Sequence, residues 1–265
     1  MIRRTTASRF DGIATTGRNQ PLIVAVETAD GEEHEVYLKA SARPELGLEG
    51  IANELLAAML AGDLGLPICE PFLVEIEPEW IDSIQEAETR NMLRKSSRIA
   101  FGSKSAGPQW KIWSQDDKLP PDRCDTALGI LTFDAFIEND DRKVGAKPNC
   151  LVKGSEFRII DHELTFRIRQ KLFPKPEPWR NGNLSRLVRP DGHIFGIKLK
   201  GKNLDFAPIK SAWADLSNVR LSEYLAAIPE EWAPTINALT DAVHHLKNVR
   251  DRIDQCIEEL QRQLA

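Results

Sequence analysis

Residues 124–139, CDTALGILTFDAFIEN, constrain the fold more than any other stretch of this chain. The run predicts a helix that is apolar on nearly every side. Such a helix has to be enclosed by other elements. The chain must therefore build layers around it, and 265 residues suffice, as one large domain or as two small lobes. Directly after the helix the character reverses. NDDRKVGAKPNCLV, residues 139–152, sets two adjacent acids and an arginine before a basic turn punctuated by Gly and Pro. The turn ends in an asparagine that leads into an apolar run. Loops seldom concentrate Asp, Arg and Asn in this way only to turn a corner.

The flanking segments supply the layers. Residues 22–40 predict a β-hairpin turning at Asp30-Gly31, with HEVYLKA as its second strand. GIATTGRNQP before it is a small-residue loop between two strands. EGIANELLAAMLAGDLG brings Ile51, Leu55, Ala58 and Met59 back at helical spacing and offers Gly65 as a stop. LPICEPFLVEI reads as a strand with prolines at its edges. Residues 80–125 carry a mixed signal, with a helix around 83–95 and partly extended chain in IAFGSKSAGPQWKIW. NCLVKG and FRIID predict two short strands turning at Gly154-Ser155. From Ile236 to Leu264 apolar residues recur at steps of three and four, which predicts one long amphipathic helix over 234–265, its stripe packed on the second lobe rather than serving as a coiled-coil dimer seam, the alternative. His244 and His245 fall among its polar positions and read as surface. The order gives an α+β fold of two lobes: a β-rich lobe with one helix over residues 1–103, and a mainly helical lobe over 104–265.

Several function classes drop out. A net charge of −5 argues against wholesale nucleic-acid binding. No apolar run is long enough to span a bilayer, and the basic residues of MIRRTTASRFDG lead into no apolar core of the kind a secretory signal needs. Cys69, Cys124, Cys150 and Cys256 form no CxxC pair, so neither a zinc site nor a disulfide framework is indicated. A cytoplasmic protein with reduced thiols is expected.

What remains is a set of residues suited to phosphoryl transfer from ATP, a reaction carried by positioning and charge neutralisation. It needs a carboxylate near the attacking hydroxyl, oxygen ligands for Mg²⁺, a lysine on the phosphates held by a glutamate, and a backbone loop over the phosphates. The chain offers these in order. The loop Thr15, Thr16, Gly17 and Arg18 lies between strands. Lys39 ends a strand in VYLKA, and Glu54 lies 15 residues on, in the next helix. Asp141 follows the buried helix, Asn149 ends its loop, and Asp161 closes FRIID. Each piece is common alone; the joint occurrence in this order is specific.

VYLKA, GIANELLAAMLAGDLGLPICEPFLVEI, FDAFIENDDR…KPNCLV and RIIDHELTF together resemble the HipA-like kinase family, a compact bacterial branch of the protein-kinase-like fold related to the phosphatidylinositol 4-kinases. HIFGIKL and IPEEW later in the chain share the resemblance, which extends from about residue 10 to 255. It implies that Asp141 is the catalytic aspartate, that Asn149 and Asp161 hold Mg²⁺, and that Lys39 contacts the α- and β-phosphates and pairs with Glu54. Arg142 would organise the loop, with Asn139 and His162 in support. ATP and a protein carrying a Ser or Thr hydroxyl are the implied partners, with a regulatory protein as a further one. Two features depart from the pattern. The interval of eight residues from Asp141 to Asn149 exceeds that of the protein-kinase loop, so Asp140 competes with Asp141 for the role. His162-Glu163 follows Asp161 where Phe-Gly is usual.

Taken one at a time, these residues also suit purely structural roles. Lys39 can be an exposed strand-end lysine. Glu49, near the helix start, competes with Glu54 and can be a dipole partner. Asp141 and Arg142 can form a salt bridge at a helix end, and Asn149 a turn. Asp161 suits such a role least, because a carboxylate after the apolar RII needs a metal or donors. Residues 167–203 carry ten Lys/Arg against two acids, either as a docking surface for an acidic substrate or as a solvated loop. Trp179 and Phe173 within it are stacking candidates for single-stranded nucleic acid. A non-catalytic nucleotide-binding module and a lipid or small-molecule kinase are the alternative functions.

Overall fold

A computed structural model describes residues 2–15, 20–43, 45, 47–145, 148–167 and 177–265. The chain is a mixed α+β protein. Strands β1 (Arg3–Ile13), β2 (Leu22–Thr28) and β3 (Glu33–Lys39) form an antiparallel meander. In β3 the burial alternates residue by residue: His34, Val36 and Leu38 face inward, and Glu33, Glu35 and Tyr37 face outward. Helix α1 (Leu48–Asp63) crosses over, and β4 (Pro71–Glu75) returns parallel to β1. Helix α3 (Ala87–Arg94) fills the span 83–95 where a helix is expected, and a short helix α2 (Pro78–Ser83) precedes it. Between the two, Ile84 turns to extended geometry and packs its buried side chain into the barrel core.

Strand β5 (Ile99–Lys104) pairs antiparallel with both β3 and β4, closing a barrel of order β1-β2-β3-β5-β4. Closure leaves no open edge. Val24, Val26, Val36, Leu38, Phe72 and Val74 pack its interior. The space is tight at Gly102, where an added Cβ would lie 2.8 Å from Val74 Cγ2.

A second, three-stranded sheet follows, with β7 (Cys150–Lys153) central between β6 (Lys111–Ile112) and β8 (Glu156–Ile159). Between β6 and β7 runs α4 (Cys124–Phe136), buried along almost its whole length. It stops short of Asn139. Glu138 takes a left-handed conformation (φ +60°), and the Asn139 amide donates back to the Asp134 carbonyl at 2.9 Å. This closes the helix as a Schellman motif and throws residues 139–145 across its end.

After β8 come a 3₁₀ turn at Ser185–Val188, then α5 (Gly196–Leu199), α6 (Ala207–Ala214), α7 (Asn218–Ala226), α8 (Ile236–Asp251) and α9 (Ile253–Leu264). With α1, α4 and the barrel residues Leu73, Ile99 and Phe101 they share one large core. Trp232 Nε1 donates to the Ile99 carbonyl at 3.0 Å and ties this part to the barrel.

Two expectations need correction here. The single C-terminal helix is two, broken at Arg252 (φ −120°), whose guanidinium folds back to Asn248. The bend lets α8 pack on α7 while α9 packs on α5 and α6. It shifts the phase of the apolar stripe too little for periodicity to register it. His245 is not a surface residue: it is 5% exposed, and its Nε2 donates to the Phe136 carbonyl at 2.7 Å, while His244 is exposed. All four cysteines are buried free thiols. Among the described residues, no helix is long and apolar enough to cross a membrane.

Candidate active site

The β7–β8 hairpin arranges the centre of the site. Cys150 pairs with Ile159, and the Ile160 amide donates to the Asn149 carbonyl at 3.1 Å. Asn149 and Asp161 therefore flank the same open end of the hairpin. Both have left-handed backbones (φ +46° and +62°). Two non-glycine residues in that region at one end of a hairpin mark stored strain of the kind that collects at functional sites.

Lys39 reaches this end from β3. Its ammonium donates to Glu54 Oε1 and to Asp161 Oδ1, the latter at 2.6 Å, and lies 3.6 Å from Glu163 Oε2. Its side chain is 12% exposed, and that of Glu54, on α1, only 4%. Burial alone would lower the lysine pKa, but the three carboxylates overrule it and push it up. Burial alone would raise that of Glu54; the Lys39 charge and His162 pull it well below the usual carboxylate range. Both partners are thus ionised at neutral pH. Glu49, the competing partner, lies half-buried near the start of α1.

Asp141 and Asn149 meet directly: the Asn149 amide donates to Asp141 Oδ2 at 2.9 Å. Asp140 turns away to Arg186, 2.9 Å distant. Behind them stands Asp134 of α4, wholly buried. Its Oδ2 accepts from Arg142 Nε at 2.6 Å and from His193 Nε2 at 2.9 Å, and its Oδ1 accepts from Asn139 Nδ2 at 2.7 Å. Burial pushes this carboxyl up, but Arg142 and His193 hold it at about 2. Asn139 Oδ1 in turn accepts from the Asp141 amide at 3.2 Å, and Arg142 Nη1 donates to the Asn149 carbonyl.

His162 joins the two halves. Its Nε2 lies 2.8 Å from Arg142 Nη2. A guanidinium only donates, so Nε2 accepts and the ring proton sits on Nδ1, which faces Glu54 Oε2 at 3.7 Å. An imidazole thus occupies the position after Asp161 and is held by polar contacts from both sides.

Of the phosphate-loop candidates, Thr15 lies exposed just after β1, and the Ala14 amide donates to the Pro21 carbonyl at 2.9 Å to close the base of the loop. Thr16, Gly17 and Arg18 lie outside the described residues. So does Phe173; Trp179 is covered by its own chain, packing against His245 with the Arg252 guanidinium over its ring. Part of the basic charge of 167–203 is engaged internally: Arg186 with Glu138 and Asp140, and Lys198 with the carbonyls of Gln115 and Asp117.

Sequence reasoning missed Glu163, Asp134 and His193. The first had a signal in DHE, a second acid two residues after Asp161. Asp134 had one as well, a lone carboxylate in an otherwise apolar helix. His193 had none beyond its place in HIFGIKL. Carboxylate oxygens of Glu54, Asp161 and Glu163 lie within 4.8 Å of one another. Three carboxylates converging on one ammonium make a hard-oxygen, net-negative pocket, the chemistry that Mg²⁺ takes.

No curated protein matches this sequence. The crystal structure of CtkA, a Helicobacter pylori proinflammatory kinase, has a similar fold, with a TM-score of 0.51 over 99% of this chain and 98% of that one. The two are 12% identical, so the likeness is one of fold alone. Residues 14–178, more than half of the chain and the part that holds Lys39, Glu54, Asp141, Asn149 and Asp161, match the sequence model of the HipA-like kinases, and the chain belongs to that family.

Proposed function

We propose that this kinase transfers the γ-phosphoryl group of ATP, in the presence of Mg²⁺, to a Ser or Thr hydroxyl of a protein. The observation that carries the reading is the Lys39 ammonium, held between Glu54 of α1 and Asp161 at the mouth of the hairpin. Residues from three distant parts of the chain meet there around one buried cation. Asp161, Asn149 and Glu163 would hold the metal, which supplies charge neutralisation on the phosphates when bound. Lys39, steadied by Glu54, would bind the α- and β-phosphates. Asp141, oriented by Asn149 and by Asn139, would accept a hydrogen bond from the attacking hydroxyl and take its proton. The loop at Thr15–Arg18 would cover the phosphates. In this reading ATP lies between the barrel with α1 and the helical part, and the division of the chain into two lobes falls near residue 103, close to the end of β5.

One observation favours a second reading. Lys39 and Asn149 are already engaged by Asp161 and Asp141, and His162 stands where Phe is usual. A module that binds nucleotide without transferring phosphate would tolerate this arrangement. Incubation with γ-labelled ATP and Mg²⁺ separates the two: transfer predicts label on the protein or on an added substrate, abolished in Asp161→Ala. An Asp161→Ala protein that turns over normally contradicts the assignment.

A further inference from the structure

The catalytic loop is held from outside by a segment that the proposed chemistry does not use. Residues 185–196 run along it and touch it repeatedly. The Val144 amide donates to the Gly192 carbonyl at 2.9 Å, the Ile194 amide approaches the Arg142 carbonyl at 3.4 Å, and Lys143 and His193 form an antiparallel bridge. Side chains add two holds. Arg186 meets Asp140 at 2.9 Å and Glu138 at 3.4 Å, and His193 Nε2 donates to Asp134.

The geometry of this segment is demanding. Gly192 and Gly196 sit so close to the preceding turn that a Cβ would lie 2.3 Å from the Arg186 carbonyl oxygen and 1.8 Å from that of Leu187. Only glycine fits either place, and the fold between them presents His193. The state of that ring is fixed by its partners. The Phe195 amide donates to Nδ1 at 3.2 Å, so Nδ1 carries no proton and Nε2 donates. His193 is 4% exposed, and the burial pushes its pKa down, in keeping with a neutral ring. An imidazole that neither faces the open site nor carries charge is placed to hold Asp134, which holds Asn139 and Arg142, which hold the Asp141 amide and the Asn149 carbonyl.

We propose that residues 185–196 form a strap that sets the position of the catalytic loop, and that His193 is its positioning residue, acting on Asp141 and Asn149 through Asp134. The role in turnover rests on the phosphotransfer reading above; the mechanical role does not. A small displacement of reacting groups costs on the order of 10²-fold in rate, whereas the Lys39 ammonium lies further along the contacts, beyond Arg142, His162 and Glu54.

The test compares His193→Leu, which removes the donor, with His193→Gln, which restores an N–H near the Nε2 position. Two readouts are taken on the full chain: steady-state kinetics with Mg·ATP, and hydrogen exchange of the amides over 139–145. The expected result for His193→Leu is a kcat loss of roughly 10²-fold with a smaller change in KM for ATP, and faster exchange at Asp141 and Val144. His193→Gln recovers most of both. Wild-type exchange and kcat in His193→Leu, or equal losses in the two variants, overturn the proposal. Should His193→Leu fail to fold, Arg186→Met cuts the strap's other side-chain hold at a partly exposed position. Faster exchange over 139–145 then supports the strap, and unchanged exchange refutes it. If the wild-type protein transfers no phosphate, the exchange data alone decide on the strap, and the failure belongs to the phosphotransfer reading.

Discussion

Arg142→Met removes the cation from a fully enclosed ion pair. The side chains of Arg142 and Asp134 are both 0% exposed. Deleting one partner of such a pair leaves a charge without compensation in a medium that solvates it poorly, at a cost of about 3–5 kcal/mol. For a chain of this length that corresponds to a fall in Tm of roughly 10 °C. The acid limb of the stability curve gives an independent check. Asp134 sits at about 2, below its ordinary 3.8. A depressed carboxyl contributes stability above its unfolded pKa and loses it as pH falls through the folded value. This one contributes roughly 2 kcal/mol at neutral pH, lost progressively from about pH 4 towards pH 2. Without Arg142, burial prevails and the carboxyl moves up, so this contribution disappears. Denaturant unfolding of wild type and variant should therefore show a gap of about 3–5 kcal/mol at pH 7 that narrows in acid. Arg142→Met/Asp134→Leu should be less unstable than the sum of its single variants, because the orphaned charge goes with its partner. A single-variant loss below about 1 kcal/mol, or strict additivity in the double variant, would refute the reasoning.

Three further outcomes are expected. Asp141→Ala should abolish turnover in the labelled-ATP assay while sparing ATP binding by calorimetry; the same loss in Asp140→Ala alone would move the catalytic role to Asp140. Lys39→Ala should weaken ATP binding and leave Glu54, Asp161 and Glu163 without their shared cation, so that Mn²⁺ affinity without nucleotide rises; an unchanged affinity would show that Lys39 does not screen these acids. Gly102→Ala should cost about 1–3 kcal/mol in thermal or chemical unfolding by overpacking the barrel against Val74, and a neutral result would mean the barrel gives way more easily than its packing suggests.

The parts of this molecule legible in sequence are those governed by local pattern. The alternation in HEVYLKA gives β3 and puts Lys39 at its end, and the run around Leu128 and Phe133 gives a helix that must be enclosed. What was not legible depends on distant partners. The short helix α2 ends where Ile84 turns into the barrel core, and α8 and α9 part at Arg252 because two surfaces have to be met. Near the site, Lys39, Glu54 and Asp161 could be placed by order and spacing. Glu163 and Asp134 carry the same chemistry but no spacing rule, so only the fold reveals that one joins the acids around Lys39 and the other anchors the loop 139–145. His193 is further still: its contact with Asp134 spans 59 residues and depends on two glycines whose need lies in close backbone approach.

The central claim is that an amide side chain and a carboxylate at the open end of one hairpin hold a metal that carries ATP. Crystals soaked with Mn²⁺ and a non-hydrolysable ATP analogue test it by anomalous scattering. The account predicts a peak bonded to Asp161 and Asn149, with the phosphates against Lys39. A nucleotide bound elsewhere, or a peak that touches neither residue, contradicts it.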